Sequence, residues 1–252
     1  MNQPHAVLIT GGARRLGAAM ALACAGAGMD VAIHYRTEGP AVAEMLDRLR
    51  AHGVAATAVA GDLADPRQVP GLMPAAAEGL GRPLTALVNS ASIFEWDDIT
   101  SLSADRLVAH YLPNTVAPAL LSQALLAQLP AGAAGTIVNI LDQKLSNPNG
   151  DHLSYTLSKY ALMGLGKTLA RAAAPRLRVN AIAPGYVLPA PGQEQAAFER
   201  LHDRTPLGRG PDADDIAAAC LYLLQADKVT GQTIHVDAGL RFASLERDIS
   251  FY

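Results

Sequence analysis

The sequence predicts a single doubly wound α/β domain: a seven-stranded parallel sheet with helices on both faces. Three observations carry that prediction. Short, uninterrupted apolar runs recur from end to end, at 6–10, 31–35, 55–60, 84–89, 136–141, 178–182 and 233–236. Between them lie Ala/Leu-rich stretches whose apolar residues repeat about every 3.6 positions, as at 16–27, 41–52, 104–129 and 154–173. Strands buried on both faces read as continuous apolar runs, and helices laid over a parallel sheet supply that burial. Finally, no repeat, low-complexity tract or linker divides the 252 residues, a length that open α/β sheets reach as one unit.

Composition narrows the class. Half the residues are hydrophobic, 17% are charged and the net charge is −3, which leaves no basic footprint for nucleic acid. No apolar run reaches the roughly 18 residues that span a bilayer. The N-terminus has neither the cationic segment nor the long apolar stretch of a secretion signal, and the first strand begins almost at once. Cys24 and Cys220 both fall in Ala/Leu-rich helical stretches and read as buried, reduced thiols. The expected setting is the cytoplasm. The seven histidines show no metal-ligand spacing, so no metal is expected.

Taken in chain order, the first strand runs into Thr10-Gly11-Gly12-Ala13-Arg14-Arg15-Leu16-Gly17 and then a helix. Such a turn lets backbone N–H groups and a helix N-terminus meet a pyrophosphate, with Gly11 making the tight turn and Gly17 the close helix–sheet packing. The second strand ends at Tyr35-Arg36-Thr37, where an NAD site would carry an acidic residue for the ribose 2′-hydroxyl. Arg14 and Arg36 can instead converge on a 2′-phosphate, so NADPH is the expected cofactor; the alternative is two solvated arginines. After the third strand, Asp62 is placed either at the adenine amino group, with Leu63 beside the ring, or as a cap for the next helix. There, Asp65-Pro66 reads as an N-cap with proline in the first turn, and Pro74 as a break. Asn89-Ser90-Ala91 follows the fourth strand as a small-residue loop that can approach a cofactor.

The second half carries the chemistry. Asn114, just after Pro113, marks an irregularity in the long 104–129 helix, where it can hold a proton-relaying water or simply be a satisfied buried amide. Asp142 follows the fifth strand, thirteen residues before Tyr155. Tyr155 and Lys159 stand at i and i+4 on one helix face, so the ammonium is expected to lower the phenol pKa and ease proton exchange. Pro184-Gly185-Tyr186-Val187 should bend near a nicotinamide, with Val187 meeting its carboxamide. Tyr186 and Leu188 would line the substrate pocket, under a lid spanning about 183–205 with a short helix near 194–202. The closing aromatic tail, Phe251-Tyr252, is expected to dock on a neighbouring subunit.

Together the glycine turn, Asn89-Ser90-Ala91, Asn114, Tyr155-x-x-x-Lys159, Pro184-Gly185, Val229-Thr230-Gly231-Gln232 and Val236-Asp237 resemble the short-chain dehydrogenase/reductase family, in its order and over essentially the whole chain. The resemblance implies a Rossmann-like fold, an oxidoreductase and a homotetramer built on the long helices. Three departures from the common pattern resemble pteridine and dihydromonapterin reductases. The middle glycine of the turn is replaced by arginine, and Asp142 stands where most members carry serine. The fourth strand continues into Ala91-Ser92-Ile93-Phe94, where Phe94 would stack a pterin and Ser92 bond its polar edge. Phe94 can alternatively be core, and Asp142 a turn former. The leading expectation is NADPH-dependent reduction of a dihydropterin. Alternatives are a carbonyl or 3-oxoacyl thioester reductase, and a non-catalytic dinucleotide sensor or scaffold.

Overall fold

A computed structural model describes residues 5–189 and 194–251. Seven strands, β1 (Ala6–Thr10), β2 (Asp30–Tyr35), β3 (Ala56–Ala60), β4 (Ala86–Asn89), β5 (Gly135–Ile140), β6 (Leu177–Pro184) and β7 (Thr233–Val236), form one sheet in the order β3-β2-β1-β4-β5-β6-β7. Every neighbouring pair is parallel. The chain is therefore a single Rossmann-like α/β domain. Eight α-helices are described: α1 (Arg15–Gly26), α2 (Pro40–Arg50), α3 (Val69–Leu80), α4 (Ala104–Tyr111), α5 (Ala117–Gln128), α6 (Leu153–Ala172), α7 (Gln195–His202) and α8 (Ala213–Gln225).

Strand alternation divides the core in two. On β1, Val7 and Ile9 pack with α1, α2 and α8, while Ala6 and Leu8 face the layer of α3, α5 and α6. Cys24 and Cys220 are buried free thiols in the first layer, and burial pushes Cys24 up to about 12. Among the described residues no helix is long and apolar enough to cross a membrane, and no group of side chains is arranged to hold a metal ion.

Three local expectations change. Pro74 does not break α3, which runs through it. Proline costs a helix the bond to the carbonyl four residues back, but Pro70 and Pro74 are both exposed, so water can reach that carbonyl. Asp65 does not cap α3 either. Its carboxylate accepts from the Arg67 N–H at 3.0 Å and closes a turn, and the helix begins three residues after Pro66. The 104–129 stretch is interrupted by a π-helical turn at Leu112–Val116, where Pro113 offers no N–H.

The order of the sheet places the site. The connections after β1 and β4 leave neighbouring strands in opposite directions, opening a crevice beyond their carboxyl ends. The glycine turn, the 90–98 loop, Asp142 and the start of α6 all follow strand ends bordering that crevice.

Candidate active site

The cofactor end is built by close backbone packing. Gly11 has φ +65°, and a Cβ there would stand 3.3 Å from Cα of Ala91. A Cβ on Gly17 would overlap the Gly11 carbonyl, so helix and turn meet as only glycine allows. Thr10 ties the two loops, its hydroxyl accepting from the N–H groups of Ser90 (2.9 Å) and Ala91 (3.0 Å). Arg15 occupies a left-handed conformation, φ +51°, and its guanidinium reaches the Pro189 carbonyl at 3.1 Å. Leu16 packs on the first core layer.

At the end of β2, Tyr35 is half-buried while Arg36 and Thr37 are exposed. Arg14 leans toward this edge: its Nη2 lies 3.9 Å from where a Cβ on Gly39 would stand. Arg14 thus stands beside the exposed segment that follows β2. Other cofactor candidates contribute less through their side chains. One Asp62 oxygen accepts from the Ala64 N–H at 2.9 Å, closing a turn rather than capping a helix. Leu63 is buried in the second core layer. Asn89 donates across the sheet to Asn139 Oδ1 at 2.8 Å, leaving its backbone as the part that borders the crevice. Pro184 and Val187 are buried, and Gly185 packs so tightly that a Cβ would come within 2.7 Å of Asp237 Cα.

The chemical end converges. The Tyr155 hydroxyl donates to Asp142 Oδ2 at 2.9 Å, and Lys159 Nζ lies 5.5 Å from the Tyr155 ring centre while donating to the Ile140 carbonyl at 2.8 Å. Helix α6 is set in place by Asp97, fully buried, whose carboxylate receives the Ser154 N–H and hydroxyl at the first turn. Asp142 caps its own short turn through the Lys144 N–H, 2.8 Å away.

The expected lowering of the Tyr155 pKa by Lys159 is reversed. Burial, followed by the Asp142 carboxylate, pushes Tyr155 well above the ordinary phenol value. Burial raises Asp142 as well, and it lowers Lys159 to about 8. Desolvation thus outweighs the ammonium, which is spent on a backbone carbonyl. The site is a phenol whose pKa is raised, hydrogen-bonded to a carboxyl group whose pKa burial also raises.

Asn114 is engaged on every side. Its Oδ1 accepts from Ile93 N–H (2.9 Å) and the Ser92 hydroxyl (3.2 Å), and its Nδ2 donates to the Ile93 carbonyl (3.0 Å) and Ser158 (2.9 Å). The side chain positions the loop leading to Phe94 and ties it to Ser158 of α6. Phe94 itself is 44% exposed, so it is not core. Its ring stacks on His152 at 3.9 Å and meets Tyr155 edge-on at 4.7 Å. Tyr186 packs on Phe198 of α7, centroids 5.0 Å apart, while Leu188 is half-buried against the first core layer. Residues 190–193 of the expected lid lie outside the described residues.

Two features escaped the sequence reading. His152 takes a left-handed conformation (φ +52°) just before α6, and nothing in its neighbours signals that or its stacking on Phe94. Second, Arg247 of the C-terminal tail forks onto the buried Asp151 carboxylate of its own chain, while Phe251 stays 50% exposed. Tyr252 lies outside the described residues.

Comparison with known proteins agrees with this architecture. A family model described as enoyl-(acyl carrier protein) reductase matches residues 11–241. An uncharacterized oxidoreductase of Mycobacterium tuberculosis is 38% identical over 96% of this chain and 94% of its own. The crystal structure of FolM alternative dihydrofolate reductase 1 from Brucella suis, in complex with NADP, superimposes with a TM-score of 0.91 at 37% identity, covering 96% of this chain and 97% of that one. The 3-oxoacyl-[acyl-carrier-protein] reductase FabG of Staphylococcus aureus is 28% identical over 95% of this chain and 99% of its own. With a glycine turn, a Tyr155/Lys159 pair and matches over nearly its whole length, the chain belongs to the short-chain dehydrogenase/reductase family of oxidoreductases.

Proposed function

We propose that the chain reduces a dihydropterin to the tetrahydro form with NADPH. The observation that carries this reading is the Tyr155–Asp142 hydrogen bond. A serine there would suit a ketone, donating to its carbonyl oxygen. A carboxyl group whose pKa burial raises suits a C=N bond, whose carbon gains hydride and whose nitrogen gains a proton. The named FolM neighbour supports the substrate class, and its NADP supports the cofactor.

The residues fit the cofactor. Gly11, Gly12 and Gly17 let the turn pack closely at the start of α1, where its N–H groups would meet a pyrophosphate, Arg14 and Arg36 would take the 2′-phosphate, and Lys159 would meet the nicotinamide ribose. When bound, the reduced nicotinamide supplies the hydride. Tyr155 and Asp142 together hold the proton at the substrate, Phe94 presents an exposed ring for stacking, and Asn114 keeps the Phe94 loop in register. Ring stacking adds about 0.5–1.5 kcal/mol beyond burial. Arg36→Ala is expected to raise the KM for NADPH by about tenfold or more while leaving that for NADH nearly unchanged, as loss of a charge-assisted phosphate contact requires. Equal effects on both cofactors would remove Arg36 from the phosphate site.

Reduction of a 3-oxoacyl thioester is the competing reading, favoured by the FabG relative. Loss of NADPH absorbance with dihydromonapterin, dihydrobiopterin and dihydrofolate, beside an acetoacetyl thioester, decides between them. Oxidation with a pterin and none with the thioester supports the proposal, and the reverse replaces it. NADPH binding without turnover of either would leave a dinucleotide sensor. We place the protein in the cytoplasm, in keeping with its buried free thiols. We also infer a homotetramer. Val108, Tyr111 and Leu157, exposed on α4 and α6, are apolar surface that such packing would cover, and light scattering would measure the mass.

A further inference from the structure

Three segments distant in sequence meet at one buried carboxylate beside the site. Asp151, 4% exposed, accepts a two-pronged contact from Arg247 (Nε to Oδ2 and Nη2 to Oδ1, both 2.8 Å) and the Asp248 N–H at 2.8 Å, both from the C-terminal segment. It also accepts the Trp96 indole N–H at 3.2 Å, from the loop after β4. Its own carbonyl takes the buried Lys144 ammonium at 2.6 Å, and Lys144 reaches Asp248 at 3.3 Å. Asn147 adds a bond to the Ala243 carbonyl at 2.8 Å. A fork of this kind is the strong form of an ion pair, and it holds the Asp151 carboxyl well below the usual carboxylate range.

The position of this joint matters more than its strength. The 142–155 stretch begins with Asp142 and ends with Tyr155, and its middle is what the C-terminal segment grips. Next to Asp151, the His152 ring is stacked on Phe94 and lies 6.2 Å from Phe251 of the tail. Its Nδ1 pairs with the Glu95 carbonyl at 3.0 Å, while its buried Nε2 has no partner among the described residues. A ladder of rings thus runs from Tyr155 through Phe94 and His152 to the tail, and Asp151 bolts both sides of it.

We infer that Asp151 is a positioning residue that fastens the C-terminal segment 243–251 of the same chain over the Phe94–His152 stack, making that segment the outer wall of the substrate pocket. Asp151 does not touch the reacting atoms. It acts by holding the flat-ring side of the pocket, while the glycine-turn side needs nothing from it. Fastening should therefore govern how tightly a planar substrate is held, and the cofactor should be indifferent. The identity of that substrate rests on the dihydropterin reading, whereas the joint does not.

The chain's single tryptophan makes the joint observable without any substrate. Three variants test it: Arg247→Ala, Asp151→Asn and a chain ending at Leu245, with Arg247→Lys as the conservative control. Each of the three is expected to raise the KM for the dihydropterin by about tenfold, with kcat and the NADPH dissociation constant moving less than about twofold. Quenching of Trp96 emission by acrylamide should rise by about twofold as the indole loses its partner or cover, with Arg247→Lys falling between. Unchanged quenching in all three would show that the segment is not fastened there in solution. Raised quenching with an unchanged KM would show that it is fastened but forms no wall. A parallel loss of NADPH affinity would reduce Asp151 to a general stabiliser. If the wild-type chain turns over a ketone instead of a pterin, the KM is read with that ketone, so failure of the dihydropterin reading leaves this test standing.

Discussion

Asp142→Asn is expected to lower kcat/KM for a dihydropterin by about 100- to 1,000-fold, within the range that a positioned proton-transfer group supplies. Asparagine keeps the shape and can still meet the Tyr155 hydroxyl 2.9 Å away, but it has no acidic proton to lend. The pH dependence gives the diagnostic sign. Burial raises the Asp142 pKa, so the group keeps its proton above the ordinary carboxylate range and gives it up as pH rises through that raised value. If the protonated form delivers the proton, wild-type kcat/KM falls with rising pH along that limb, and the limb vanishes in Asp142→Asn. NADPH affinity should stay unchanged if Asp142 acts through its bond to Tyr155 and not on the cofactor. Full activity of the variant on every dihydropterin tested would return proton delivery to Tyr155 alone and with it the ketone reading.

Lys159→Met should abolish turnover to about one part in a hundred or less while making the fold more tolerant of neutral pH. The ammonium is 2% exposed, and burial pulls it from 10.5 to about 8. A lysine whose folded pKa is depressed is charged at an energetic cost below that value, because the unfolded chain keeps its charge until about pH 10.4. The cost is on the order of 3 kcal/mol at neutral pH and fades between about pH 8 and 10.5. Methionine removes it but leaves the Ile140 carbonyl without its donor, a loss of about 1 kcal/mol that does not vary with pH. The Tm of Lys159→Met should therefore exceed wild type at pH 7, with the gap closing by pH 10. A gap that is independent of pH would show that Lys159 is neutral or hydrated in solution.

Measured against the fold, the sequence alone determined the sheet and the helix face that pairs Tyr155 with Lys159. Apolar runs and helical periods reflect burial on both faces of each strand, a property local enough to be read residue by residue. The same holds for Gly11 and Gly17, where φ and close packing forbid a side chain, and for Tyr155 and Lys159, which helix geometry places on one face. Proline was the weaker guide. Pro74 was tolerated on an exposed stretch of α3, a fact of solvent exposure that no dipeptide records.

Tertiary structure decided what depends on segments far apart. Only packing shows that desolvation outweighs the Lys159 charge at Tyr155, because burial is a sum over every neighbour whereas i,i+4 spacing reports just one. Asn114 clamps the backbone of Ile93, twenty-one residues away, through both its N–H and its carbonyl, a contact no local pattern records. Leu63 turned inward to the core while Phe94 turned outward, though both looked equally apolar in sequence. The tail is the plainest case. The sequence expects a terminal aromatic segment to dock on a neighbour, and only the fold brings Asp151, ninety-six residues earlier, to receive Arg247 of the same segment. Charge complementarity between two short loops has no period and no motif, so only their meeting in space reveals it.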